Sequence, residues 1–350
     1  MMSGLATWRR ALMLGYMFTA LSAVSACVDR SEDPATLELK GSAMGTTYSV
    51  KLAAADTDLD REQLRIDINA QLELLERSMS TWMPDSELSL FNAARTTDWF
   101  RVSVLLCAAV SDAQTISRLT GGAFDITVGP LVNLWGFGPD GIQTEPPAAE
   151  RIAELLKSVG YKLLHTDCDR PALRKDVPEL YVDLSAFAKG YAVDELAALL
   201  DSNAVENYLI EIGGELRLRG YNGSGEPWAI AIETPDRGGR SVQTIIGLTN
   251  TSLATSGDYR NYFEHDGRFY SHTIDPRSGH PVEHNAASVT VLAKPAALAD
   301  AMATALLVLG PDDGMAFAES NDLSAYVLSR ANGRIEERMS SRFADEVERQ

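Results

Sequence analysis

The sequence predicts an α+β fold in which mixed helices and largely antiparallel sheets build one composite unit. Three observations carry that expectation. Apolar residues Leu64, Ile68, Leu72, Leu75 and Met79 recur at helical spacing. The chain from Tyr208 to Val291 breaks into short β-prone runs punctuated by Gly, Asn, Asp and Pro. Helical and strand-like segments lack the regular alternation of a doubly wound sheet, so mixed layering is expected instead.

Taken in order, residues 37–52 alternate like a strand interrupted at 41–45. After the helix that carries Leu64 to Met79, further helices are expected over residues 102–119, 147–159 and 188–200. Another follows Pro295, a residue suited to a first helical turn. Strands near 325–328 and 334–338 close the pattern. The stretch T-G-G-A-F-D-I-T-V-G-P-L-V-N-L-W-G-F-G at residues 120–138 is too irregular for a helix and too glycine-rich for a core strand. Such a segment is expected to wrap a ligand.

The N-terminus reads as a secretory leader. Arg9 and Arg10 precede the uncharged run 11–26, which ends in V-S-A-C at residues 24–27. Small residues before a cysteine suggest lipidation of Cys27, with a plain signal peptide as the alternative. The apolar run is shorter than the roughly 20 residues of a membrane span. The expected organisation is a leader over 1–26, a tether over 27–36 and a folded domain over 37–345. The chain carries 31 Lys and Arg against 49 Asp and Glu. This acidity argues against a nucleic-acid groove, which needs a basic surface to meet phosphates. With Cys27 lipidated, only Cys107 and Cys168 remain, too few for a disulfide framework. Cys107 lies in an apolar helical run, so a buried unpaired thiol is expected there.

Three stretches carry candidate chemistry. In Y-V-D-L-S-A-F-A-K-G-Y (residues 181–191), a short strand ending at Asp183 turns into a helix. Lys189 and the free N–H groups of that helix start could meet a phosphate, or Lys189 could be an ordinary solvated lysine. In the helix after Pro295, Asp300 and Thr304 are four residues apart and share a face of an otherwise apolar run. A carboxylate there is expensive unless paired or bound to a cation. Carboxylate and hydroxyl are hard oxygen donors that suit Mg²⁺ or Ca²⁺; local capping and back-bonding are the alternative. In S-H-T-I-D-P-R-S-G-H-P (residues 271–281), His272 precedes a turn and is placed for a general base, a substrate contact or a structural role. No nucleophile elbow, P-loop or dinucleotide-binding glycine signature accompanies them.

M-G-T-T-Y at 44–48, the 120–138 stretch, V-D-L-S-A-F-A-K-G-Y-A-V-D at 182–194, E-I-G-G-E at 211–215, T-S-G-D-Y at 255–259, H-T-I-D-P-R-S-G at 272–279 and A-D-A-M-A-T-A-L at 299–306 occur in the order seen in the ApbE family. The chain resembles that family over about residues 37–328. The resemblance implies an FAD:protein FMN transferase: FAD is the substrate, FMN passes to a threonine hydroxyl in a motif of a target protein, and AMP leaves. It implies that Met44 and Trp82 contact the flavin or adenine, that Ala123, Phe124, Asp125, Asp183, Lys189 and Ile274 complete the FAD site, and that Trp135 and Phe137 pack beneath it. Asp300, Thr304 and the Ala186 carbonyl are the implied Mg²⁺ ligands. His272 is the candidate base and Asp183 a second one. An FAD pyrophosphatase and a non-catalytic FAD-binding lipoprotein are the alternatives. The implied location is the periplasmic side of a bacterial membrane, with the lipid on Cys27 as anchor.

Overall fold

Eight strands form one antiparallel sheet in the computed structural model, which describes residues 36–53, 59–138, 143, 145–236, 239, 241–259 and 261–348. The expected leader, Cys27 and the tether through residue 35 lie outside the described residues. Across the sheet the strands are Thr36–Ala43, Thr46–Ala53, Tyr208–Ile212, Glu215–Arg219, Thr251–Gly257, Ala286–Ala293, Ser324–Ala331 and Arg334–Met339. The interrupted strand of the sequence reading is thus a hairpin. Ala43 pairs with Thr46 across a two-residue turn, and both turn residues have positive φ, 53° at Met44 and 72° at Gly45. That is the backbone a tight hairpin requires, and it is an uncommon one for methionine.

Side chains alternate across the strands, so neighbouring residues feed different cores. Tyr208, Ile210 and Ile212 enter one apolar cluster while Leu209 enters another. Likewise Val289 and Val291 face one side of the sheet and Leu292 the other. The first side is covered by the helices Arg61–Met79, Val104–Leu119, Ala188–Ser202 and Ala296–Leu309. The second is covered by the hairpin Trp228–Glu233 and Val242–Leu248 together with Phe343 of the helix Ser341–Glu348. Each fully buried aliphatic side chain contributes about 1.5–3 kcal/mol relative to exposure, so a sheet buried on both faces is held chiefly by these two clusters.

The helices begin where the sequence supplies caps. Asp60 Oδ1 accepts from the N–H groups of Glu62 and Gln63 at 3.1 Å each, and Ser103 Oγ accepts from Leu106 N–H at 3.0 Å. Within the 120–138 stretch, where no helix was expected, the short helix Gly129–Leu134 forms with proline in its first turn. Proline costs nothing there, because the N–H it lacks would have no partner inside the helix. No helix among the described residues is long and apolar enough to cross a membrane.

The cysteines depart from expectation. Cys107 is bonded to Cys168, 61 residues on, and is not an unpaired thiol. Helical spacing places Cys107 in the core but says nothing of a loop residue that folding brings beside it. The bond ties the helix Val104–Leu119 to the end of the strand Leu164–Asp167. On a chain-entropy scale a closed loop of this length contributes about 4 kcal/mol.

Candidate active site

The helices Ala188–Ser202 and Ala296–Leu309 touch nearly backbone to backbone. A Cβ on Gly190 would lie 2.4 Å from the carbonyl oxygen of Ala296. Asp194, one turn further along, accepts from the N–H groups of Ala296 and Ala297 at 2.9 Å each. It therefore caps a helix whose own N-cap residue, Pro295, offers no side-chain acceptor. Arg217 holds Asp194 from the sheet at 2.7 Å. This junction turns Asp300 towards the start of the neighbouring helix, where its Oδ2 accepts from Gly190 N–H at 3.1 Å.

Asp300 is 3 % exposed. Burial raises its pKa, and the nearby Lys189 and the Gly190 N–H oppose that rise. Burial alone would pull Lys189 down, but the carboxylates of Asp300 and Glu215 outweigh it and hold the ammonium above its ordinary range. Lys189 Nζ donates to Glu215 Oε1. Glu215 is itself pushed up by burial and by Asp300, against the pull of Lys189. Its other oxygen, Oε2, is buried with no hydrogen-bond partner among the described residues. With Glu211 on the same lining, three carboxylates thus act on one ammonium. One turn along from Asp300, the Thr304 hydroxyl bonds the Ser256 hydroxyl at 3.0 Å rather than its own helix.

These groups line a cavity of about 690 Å³, within the range of cofactor sites. Of the residues expected to form a site, Trp82, Ala123, Phe124, Asp125, Asp183, Ala186, Lys189, His272, Ile274, Asp300 and Thr304 all lie on its wall. Met44 is not among the lining residues; it sits on the hairpin turn, where its N–H donates to Glu76 Oε1. Trp82 is 68 % exposed, a rim position. Ala123 and Phe124 are buried, and Gly121 and Gly122 take φ of 59° and 84° to turn the chain out of the preceding helix.

The neighbouring carboxylates have structural work. Asp125 accepts from Thr127 N–H at 2.8 Å and Thr127 Oγ1 at 2.7 Å through one oxygen, and from Tyr161 N–H at 2.6 Å through the other. It therefore clamps the glycine turn to residues 160–161. Asp183 Oδ1 accepts from Ser185 N–H at 2.9 Å and from its hydroxyl at 2.5 Å. That turn carries the chain from Asp183 into the Lys189 helix. Trp135 packs beneath the wall, its indole N–H donating to Gly279 O at 2.9 Å and its ring stacked on Tyr270. Phe137, expected beneath as well, reaches the wall and sets its ring at 71° to His272, 6.2 Å between centroids.

His272 is half-buried. Its Nδ1 lies 3.0 Å from the carbonyl oxygen of Asn261. A carbonyl only accepts, so Nδ1 carries the proton and Nε2 keeps its lone pair. Burial lowers the imidazole pKa; the Asn261 carbonyl and Asp258 pull the other way without reversing it. Asp258 is held by both oxygens on Arg330 Nη1 at 2.7 and 2.8 Å. At neutral pH His272 is a neutral base. Sequence reasoning quoted E-I-G-G-E but gave Glu215 no role; an acid directly after paired glycines at a strand start was the available signal.

A composite α+β domain with an acid- and lysine-lined cavity, a neutral histidine and a glycine turn defines a ligand-binding domain with groups suited to acid–base chemistry. The ApbE family model matches residues 44–327. A curated relative from Vibrio cholerae, named FAD:protein FMN transferase, is 45% identical over 313 residues, covering 89% of this chain and 93% of the relative. One of the same name from Escherichia coli K12 is 39% identical over 307 residues and 87% of each chain. Among solved structures, the flavin transferase ApbE from Vibrio cholerae superposes with a TM-score of 0.82 at 44% identity, covering 89% of this chain and 98% of that one. The apo flavinyl transferase ApbE from Pseudomonas stutzeri gives 0.82 at 38%, covering 89% and 96%. The chain belongs to the ApbE family.

The helix junction yields a test. Gly190→Ala would gain about 1 kcal/mol of helix propensity, but the Ala296 backbone cannot move aside like a flexible side chain. Overpacking of about 1–3 kcal/mol should win. The variant is expected to unfold at lower denaturant than the parent; an equal or higher midpoint would show that the helices tolerate separation.

Proposed function

We propose that this chain transfers FMN from FAD to a threonine hydroxyl of a target protein and releases AMP. The observation that carries the reading is the convergence of Lys189, Asp300, Thr304 and His272 on one cavity wall, in a chain whose curated relatives bear that activity as their name. The threonine oxygen attacks the FMN phosphorus, the bond to the bridging oxygen breaks, and its electron pair stays on the AMP phosphate. His272 Nε2 receives the threonine proton, the role that the donated Nδ1 proton leaves open to it. Lys189 would face the charge that grows on the departing phosphate; the N–H groups expected to be free at the start of its helix are taken instead, that of Ala188 by Leu184 O and that of Gly190 by Asp300 Oδ2. Asp183 is the weaker candidate for base, because one of its oxygens is already taken by the Ser185 turn.

The residues fit a hard divalent cation. Glu215 Oε2 is buried without a partner among the described residues, and three carboxylates, of Asp300, Glu215 and Glu211, act on one ammonium. The donors are oxygens, which suit a hard cation rather than a softer one. Asp300, Thr304 and the Ala186 carbonyl would hold Mg²⁺. Such a cation supplies charge stabilisation to phosphoryl oxygens.

Ser256, Gly257, Tyr259 and Pro276 line the cavity, and we place the entry of a protein-borne threonine beside the first three, which are part-exposed. On localisation, we read residues 1–26 as a leader and Cys27 as a lipid anchor on the periplasmic side of a bacterial membrane. The Cys107–Cys168 bond supports that reading, since disulfides persist in oxidising compartments.

Two measurements test the proposal. With FAD, Mg²⁺ and an acceptor bearing a threonine motif, the acceptor should gain the mass of FMN less one water while AMP appears in equal amount. Free FMN and AMP with an unmodified acceptor would replace transfer by hydrolysis, and intact FAD would leave a flavin carrier. For the base, kcat/KM should fall as pH drops through a value below about 6.5, because only neutral His272 accepts a proton and burial favours the neutral form. His272→Ala should lower kcat by about 10²- to 10⁴-fold and flatten that acid limb. An unchanged limb in the variant would remove His272 from the role.

A further inference from the structure

We propose that Glu215 is a positioning residue that holds the Lys189 ammonium away from Asp300 and so keeps the Asp300 carboxylate open to a divalent cation; this rests on the reading of Asp300 as a cation ligand.

Lys189 lies between two carboxylates, and the one it donates to is Glu215. Its aliphatic stem is steered there by the turn before Glu215. Gly213 has φ of 61°, and a Cβ at that position would lie 3.2 Å from Lys189 Cδ and 2.9 Å from Thr46 Cγ2. The stem therefore runs over bare backbone to reach the strand that begins with Glu215. Meanwhile Asp300 is satisfied on Oδ2 by the Gly190 N–H, and the hydrogen bond from Lys189 goes to Glu215.

Glu215 is costly to keep. It is 4 % exposed, and Oε2 has no partner among the described residues. Packing alone would favour an apolar residue at such a place. Its charge is nevertheless what decides the direction of Lys189. In a low-dielectric wall an ammonium goes to the nearest compensating carboxylate, and Asp300, Glu215 and Glu211 all act on Lys189. Neutralising Glu215 leaves Asp300 as the stronger of the two remaining acids that act on Lys189, ahead of Glu211, whose Oε1 already accepts from Gly214 N–H. The ammonium would then occupy the oxygen face that a cation needs, and the cation would have to displace it.

Mn²⁺, which accepts the same oxygen donors, is the probe. Its binding to the full chain is followed by electron paramagnetic resonance of the unbound ion. The parent should bind one Mn²⁺ and Asp300→Asn should lose it. Glu215→Gln, which keeps the shape of the side chain, should weaken binding by about 10- to 100-fold, the range for residues that support metal ligands. Glu215→Gln combined with Lys189→Met should restore affinity to the parental level or above, because the competing ammonium is gone. If the double variant stays as weak as Glu215→Gln, Glu215 is itself a ligand and the positioning role is overturned. If Glu215→Gln binds like the parent, the role is also overturned. If Asp300→Asn binds like the parent, the cation reading fails first, and the positioning role with it.

Discussion

The polar wall of the cavity depends on how closely two helices can approach. Gly190 removes the one side chain that would stand between the helix Ala188–Ser202 and the backbone of Ala296, and Asp194 fastens the junction by capping the second helix. With the junction closed, Gly190 N–H meets Asp300 Oδ2, and Lys189, the residue before Gly190, is brought to the same wall. The antiparallel sheet serves this arrangement. Its strand from Glu215 supplies the carboxylate for Lys189, and its strand Thr251–Gly257 supplies Ser256 for Thr304.

Charge then follows from burial. An isolated carboxylate at the depth of Asp300 would hold a proton, since low dielectric disfavours its ionised form. The Lys189 ammonium and the Gly190 N–H push back. The wall still carries more acids than bases, with Asp125, Asp183, Glu211, Glu215, Glu233 and Asp300 against Lys189, a surplus that a cation or a protonated group must offset. His272 sits on the opposite footing. Its proton is fixed on the Nδ1 side by a backbone carbonyl, and its burial keeps the ring neutral. Phosphoryl transfer asks for both, because it needs positive charge at the phosphates and a vacant lone pair at the nucleophile.

Much of this was legible in the sequence, and the rest has identifiable physical reasons. Helical periodicity located the helix that carries Leu64 to Met79, because it buries one stripe against the sheet, whereas the helix Ala296–Leu309 is buried nearly all round and was marked by Pro295 instead. The four-residue spacing of Asp300 and Thr304 put both on one helix face, and the fold sets that face on the cavity. Gly129–Leu134 escaped because six residues with Gly and Pro show no period. Cys168 escaped because a contact across 61 residues leaves no local pattern. The family resemblance placed Asp125 at the ligand, and the residue does reach the wall, but both of its oxygens close the glycine turn. Met44 was carried over to the same site, yet the hairpin turn holds it off the described wall. Glu215 and Asp194 matter through partners distant in sequence, which no spacing rule reveals.

The account's central claim is that the attacking oxygen comes from a protein hydroxyl and not from water. Running the reaction in ¹⁸O-enriched water with FAD, Mg²⁺ and an acceptor protein tests it directly, because the AMP keeps the bridging oxygen whichever nucleophile attacks the FMN phosphorus. Transfer predicts that neither AMP nor the acceptor-bound FMN carries the heavy isotope. Heavy oxygen in an FMN phosphate would show that water is the nucleophile and would contradict the account.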